Sequence, residues 1–148
     1  MNIEAILHHV EPGADLTISN EPFSFKSKAL ITLEGGDIRH WLFSEEGLLL
    51  AISPEDEEFV FMRELEEVLE PEEEVVLYGG KEYEFSYEDK GSISEVEGDW
   101  EGEEEDTITF SDYEAEDGEV VRLITNEDNG ETSAYLGKLV VEDDIVEV

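Results

Sequence analysis

Cysteine is absent from this 148-residue chain. Disulfides, thiolate nucleophiles and cysteine zinc sites are therefore excluded. Basic residues are almost as scarce, with 8 Lys plus Arg against 43 Asp plus Glu and a formal net charge of -35. Nucleic acids and anionic membrane surfaces are bound chiefly through Lys and Arg at phosphates. Direct contact with either is not expected. Histidine is limited to His8, His9 and His40, all three read as structural or solvated. No stretch approaches the roughly 18 consecutive apolar residues of a membrane-spanning helix. Met1 to Val10 lacks the basic start and apolar run of a signal peptide. The expectation is a cytoplasmic location without membrane insertion.

What is present argues for a folded chain. Apolar residues make up 39% and aromatics 9%, including Trp41 and Trp100, too apolar a balance for a disordered acidic tail. The length suits a single domain over residues 1–148, burying roughly 70% of the surface that its unfolded form exposes. The acidity fits a salty cytoplasm, a basic partner or a solubility device. The preference for Glu and the retention of Ile, Leu and Phe weigh against extreme halophily.

Ile3, Ile6, Leu7 and Val10 fall on one helical face behind Asn2 as N-cap, predicting a short N-terminal helix that Pro12-Gly13 ends. The period then changes to two. Phe23, Phe25, Ser27, Ala29, Ile31 and Leu33 alternate with mostly polar residues, as in one long half-buried strand, and Glu34-Gly35-Gly36-Asp37 reads as a hairpin turn. Strands follow over about Asp37 to Phe43, Leu48 to Ile52 and Phe59 to Phe61. Met62, Leu65 and Leu69 suit a helical turn or two before Pro71.

Pro71 to Glu74 separates a second half. Val75 to Tyr78, a strand placing Tyr83, Phe85 and Tyr87 on one face, a shorter strand over Ser92 to Glu97, an acidic loop, and strands over Ile108 to Phe110, Val120 to Thr125, Thr132 to Val141 and Ile145 to Val148 complete the chain. Phe43 to Gly47 before the Leu48 strand matches Glu114 to Gly118 before the Val120 strand in layout. Two pseudo-repeats, 13–70 and 75–148, are one reading of this, and the echo that any β meander with acidic turns produces is the other. The fold class expected is all-β and mainly antiparallel: two similar β-meander halves forming a sandwich or small barrels, with one short N-terminal helix.

Catalytic motifs are missing. There is no G-x-S-x-G nucleophile elbow, Gly79-Gly80-Lys81 lacks the first glycine and the Ser or Thr of a P-loop, and the turn before Gly130 offers Thr125, Glu127 and Asn129 where the D-x-[DN]-x-[DN]-G pattern of a calcium loop needs Asp, then Asp or Asn twice. The acidic runs Glu55 to Glu58, Glu101 to Asp106 and Asp143-Asp144 are hard oxygen donors but read as solvated loops. No cofactor and no metal site is expected. Most aromatics lie on strands and read as core. Trp100 differs, because it stands among Glu97, Asp99 and Glu101, where an indole serves either as an interaction anchor or as a cap on one end of a barrel. Trp41 is the second candidate interaction residue.

Trp41-Leu42 before the apolar strand, Gly80-Lys81-x-Tyr83, Val96-Glu97-Gly98 before Trp100, Asp112-Tyr113 and Tyr135-x-Gly137 occur here in an order that resembles a bacterial family of domains of unknown function, number 4178, from about Asp15 to Val141. The match is looser over Gly13 to Phe25. The resemblance implies an all-β fold, a bacterial source and a setting near membrane-stress and polyamine-related proteins; it supplies no catalytic residues. The leading expectation is a non-catalytic binding or accessory domain with a protein partner. The alternatives are an acidic decoy that imitates nucleic-acid charge toward a basic protein, and a hydrolase using carboxylates with a divalent ion. Negative charge on strand edges opposes edge-to-edge association, so a monomer is expected.

Overall fold

The computed structural model describes residues 1–98, 100 and 102–148. Helix α1 spans Ile3–His9, and the Asn2 side chain accepts a hydrogen bond from the Ala5 amide at 2.8 Å, as the N-cap reading requires. Two-residue periodicity governs the rest. The strands are β1 Asp15–Ile18, β2 Glu21–Leu33, β3 Ile38–Ser44, β4 Leu48–Ser53, β5 Glu58–Leu65, β6 Val75–Tyr78, β7 Lys81–Gly98, β8 Thr107–Glu114, β9 Val120–Asn126, β10 Thr132–Val140 and β11 Ile145–Glu147.

Two four-stranded antiparallel meanders, β2 to β5 and β7 to β10, join at both sides. One seam pairs β5 with β10 and the other pairs β2 with β7, closing an eight-stranded barrel. Of the two architectures the alternation allowed, the chain thus adopts a barrel, and one barrel takes strands from both halves. Each meander is preceded by a short strand in a tight hairpin with its first long strand, β1 with β2 and β6 with β7. The last strand, β11, pairs with β1.

Three apolar clusters follow from this arrangement. The lumen holds Ala29, Ile31, Trp41, Phe43, Leu49 and Met62 with their partners from β7 to β10. Outside the first meander, Leu42, Leu50, Ile52 and Phe59 are covered by α1, β1 and β11 through Ile6, Leu16, Ile18 and Ile145. Outside the second, Tyr83, Tyr113, Val121 and Leu123 pack with Val76 of β6, and Leu65 and Leu69 lean on them. Strands such as β4 and β9 are therefore buried on both faces and read as continuous apolar runs.

Bulges alter the faces that simple alternation assigns. In β2 the register shifts between Phe25 and Ser27, so Phe23 and Phe25 pack outside the barrel whereas Ser27, opposite the lumenal Phe43, points in. The expected single face of Phe23 to Leu33 is thus split in two. In β7 the shift lies between Phe85 and Tyr87. Phe85 meets Tyr113 edge-on outside, while Tyr87 turns to Phe110 in the lumen. One extra residue inverts every side chain beyond it.

Two other expectations are corrected. Met62 to Leu65 continues β5 instead of opening a helix, because Val60 and Met62 are needed at two-residue spacing on the lumenal face; no helix is described over 62–70. The separate strands foreseen at Tyr83 and at Ser92 are one 18-residue strand, β7, whose first half pairs with β8 and second half with β2.

Acidic residues crowd the hairpins at both barrel ends, so like charges repel across short distances in the folded state. Screening shortens that reach to roughly 8–10 Å near physiological salt and to about 3 Å at 1 M. The melting temperature should therefore rise as NaCl is added, measured by calorimetry; a flat or falling trend would remove repulsion as a large term.

Candidate functional site

Closure of the sheet leaves the lumen with two mouths, one at each end of the barrel. On β3, Arg39 stands at one end, Trp41 in the middle and Phe43 at the other. On β9 the corresponding series is Arg122, Ile124 and Asn126. The middle is closed by Trp41 and Phe110, whose rings meet edge-on at 5.4 Å and 76°.

At the first mouth the lumen is polar. Arg122 Nε and Nη2 donate to Asp112 Oδ1 and Oδ2 at 2.7 and 2.9 Å, a two-pronged pair, and the guanidinium carbon lies 5.1 Å from the Phe110 ring centre. Arg39 Nη1 lies 3.6 Å from Glu55 and Nη2 3.8 Å from Asp56, ionic contacts longer than a hydrogen bond. Burial pushes the Glu58 carboxyl up, and neighbouring Asp56 adds to it. Burial also raises the Tyr87 phenol, which donates to Asp89. Arg39, Arg122, Asp112, Asp56, Glu58 and Tyr87 line a cavity of about 510 Å³. Within its wall Arg122 is paired with Asp112, and Arg39 stands near Asp56.

The other mouth is aromatic. Trp100 lies nearly parallel to Phe43, with ring centres 5.1 Å apart and an 18° tilt. Gly102 permits this, since a Cβ there would collide with the Trp100 ring and stand 2.9 Å from Ile93. Below lies a cavity of about 280 Å³, reached by Trp41, Ile108, Ile124 and Tyr135, with Lys26, Glu45, Glu64 and Glu131 toward the rim. Trp41 is wholly buried, and its Nε1 has no hydrogen-bond partner among the described residues.

Both tryptophans singled out in the sequence therefore line one cavity, Trp100 as the half-buried cover and Trp41 at depth. Trp100 takes the barrel-capping position. Trp41 is inaccessible to a surface partner and can touch only what enters the lumen. Phe43 and Tyr135 were legible as strand aromatics, but nothing in their spacing set them at the mouth. Asp99 and Glu101, beside Trp100, lie outside the described residues. The polar cluster of Arg39, Arg122 and Asp112 was not foreseen, because lone charges in strands carry no pairing signal.

Elsewhere, Lys81 Nζ donates to Asp117 and Glu119 at 2.7 and 3.0 Å, and the Tyr83 hydroxyl donates to Glu119 at 2.5 Å. Burial, then the bond to Glu119, pushes the Tyr83 phenol up to about 12. This network fastens the β6–β7 hairpin to the β8–β9 turn. Among the described residues, no group of three His, Asp or Glu is placed to hold a metal ion, and no helix is long and apolar enough to cross a membrane.

His8 and His9 are exposed at the end of α1. His40 is half-buried beside Lys28 and Glu55, and burial first, then Lys28, lowers its imidazole to about 4 from an ordinary value of 6.5. Between those values the unfolded chain binds the proton more readily than the folded one. The stability that neutral His40 contributes is complete above pH 6.5 and declines as the pH falls toward 4. His40→Gln should flatten that part of the pH dependence, measured by urea midpoints; an unchanged slope would show that His40 does not contribute to it.

No curated protein and no solved structure matches the chain. The residues carrying the resemblance occupy defined places: Trp41, Trp100 and Tyr135 at the aromatic mouth, Asp112 in the lumenal ion pair, Lys81 and Tyr83 in the hairpin clasp, and Gly98 and Gly137 on the two seams. A family model covers residues 13–142 of this sequence, so the chain belongs to the family of domains of unknown function DUF4178.

Proposed function

We propose that this chain is a non-catalytic binding domain, an accessory component of a larger system, which meets its partner at the Trp100 mouth of the barrel. The observation that carries the reading is an aromatic cover, Trp100 on Phe43, set over a cavity in an otherwise strongly acidic surface. Large aromatic side chains at a rim supply contact area with little ordering cost. At the opposite mouth Arg122 is held by Asp112, and the Ser53 and Ser86 hydroxyls donate to Asp56 and Glu114, carboxylates being weaker bases than the imidazole that ordinarily activates a serine.

The acids also favour this reading over a decoy. They are scattered over hairpins at both ends, as Glu45-Glu46, Glu116-Asp117 and Glu127-Asp128 illustrate, and along β7 at Glu82, Glu84, Glu88, Glu95 and Glu97, whereas imitation of a phosphate backbone calls for rows confined to one face.

The test is capture of partners from a lysate of the source organism by the wild-type chain, by Trp100→Ala and by a charge-matched unrelated protein. Washes would be at about 0.15 M and about 1 M NaCl, where the screening length falls to roughly 3 Å. A partner kept at high salt by the wild type and lost with Trp100→Ala supports the reading. Partners shared with the control, or basic nucleic-acid enzymes released by salt, would overturn it in favour of charge alone.

A further inference from the structure

We propose that the cavity under Trp100 is a site for a small, uncharged, planar molecule carrying a hydrogen-bond acceptor, the chemistry typified by nitrogen heteroaromatics. This deepens, and rests on, the reading of that mouth as the binding face.

Shape is the first argument. The walls are ring systems and branched aliphatics: Phe43, Trp100, Tyr135, Trp41, Ile108 and Ile124. Their volume of about 280 Å³ approaches the lower end of small-molecule sites. Flat rings fit such walls by stacking and edge contacts.

Hydrogen bonding is the second. Indole N–H is a donor and never an acceptor, and a buried N–H without a partner is uncommon. Trp41 Nε1 is such a group. Two other polar residues of the wall, Ser44 and Asn126, are occupied in holding turns. Ser44 Oγ accepts from the amides of Glu46 and Leu48. Asn126 Oδ1 accepts from the amides of Asp128 and Asn129, and its side-chain nitrogen donates to Asp106. An entering molecule is therefore selected for an acceptor that reaches Trp41.

Charge is the third. The net charge of -35 and the rim carboxylates of Glu45, Glu64 and Glu131, which outnumber Lys26 there, repel anions. The depth of the cavity, at Trp41, Ile108 and Ile124, presents no carboxylate to a cation, and an unpaired charge is costly there. A neutral ligand remains.

The test uses two isosteric bicycles, quinoline with a ring nitrogen and naphthalene without one, at mildly alkaline pH where quinoline is uncharged. Binding to the purified full chain is followed by calorimetry and by the Trp41 indole N–H resonance. Quinoline should bind roughly tenfold more tightly than naphthalene, the size of effect that rescuing a buried donor supports, and should shift that resonance. Trp41→Phe, checked for folding by circular dichroism, should abolish the preference, and Trp100→Ala should weaken both probes together. Equal affinities, an unmoved Trp41 resonance, or binding of neither probe would overturn the inference; these wild-type outcomes stand even if Trp41→Phe fails to fold. Failure of quinoline with partner capture still lost in Trp100→Ala would sink this inference alone, whereas quinoline binding with capture unaffected would sink the partner reading.

Discussion

Gly137→Ala should lower the melting temperature by about 10 °C, a loss of roughly 3 kcal/mol for a domain of this size. Gly137 lies on β10 opposite Met62 of β5, on the seam where the second meander meets the first. A Cβ there would fall on the Phe61 carbonyl oxygen and within 2.6 Å of Met62 Cα. Both are backbone atoms of a paired strand, so relief requires the strands to separate. Gly91 presents the same situation on the β2–β7 seam, where a Cβ would collide with the Thr32 carbonyl. Closing a sheet into a barrel bends strands sharply, and glycine admits the close approach that results. Gly35→Ala, in open space on a hairpin turn, is the control and should change stability by no more than about 0.5 kcal/mol. Thermal unfolding of the two variants checks the contrast; equal melting temperatures would mean that the seam yields without cost.

Arg122→Met should destabilise the fold by about 3 kcal/mol, read from urea unfolding. Its side chain is 8% exposed and that of Asp112 16%, so removing the guanidinium strands a carboxylate in the lumen near Glu58. The cost arises from the charge left behind more than from the bond lost. The double variant Arg122→Met with Asp112→Leu should consequently recover most of the loss, as buried ion pairs replaced by packed apolar groups often do. If the single and double variants were equally unstable, the Arg122 packing over Phe110 would be the main contribution instead. The cycle separates the two.

The seam and the ion pair show why legibility in the sequence stopped where it did. Alternation located the strands, and Asn2 with Ile3, Ile6, Leu7 and Val10 located α1, because those signals are local. The bulges at β2 and β7 left no comparable mark. Phe25 and Ser27, or Phe85 and Tyr87, keep their two-residue spacing while their side chains enter different environments. Met62, Leu65 and Leu69 fitted a helix as well as a strand end, and the lumen's demand for Met62 decided between them. Arg122 and Asp112 are ten residues apart in the chain, and only the antiparallel register of β8 and β9 sets them side by side.

By itself the sequence determined the all-β class, the N-terminal helix, the absence of thiol chemistry and the charge that disfavours phosphate-bearing partners, since composition and period act without reference to distant residues. It also marked Trp100 by its polar surroundings, with an anchor and a barrel cap as equal possibilities. Tertiary structure decided that two meanders share one barrel, that Trp100 covers a mouth by stacking on Phe43, and that Trp41 lies beneath with an unpartnered N–H. Those facts depend on closure of the β5–β10 and β2–β7 seams, contacts between chain segments far apart in sequence, and strand register there is set by packing that no local pattern encodes.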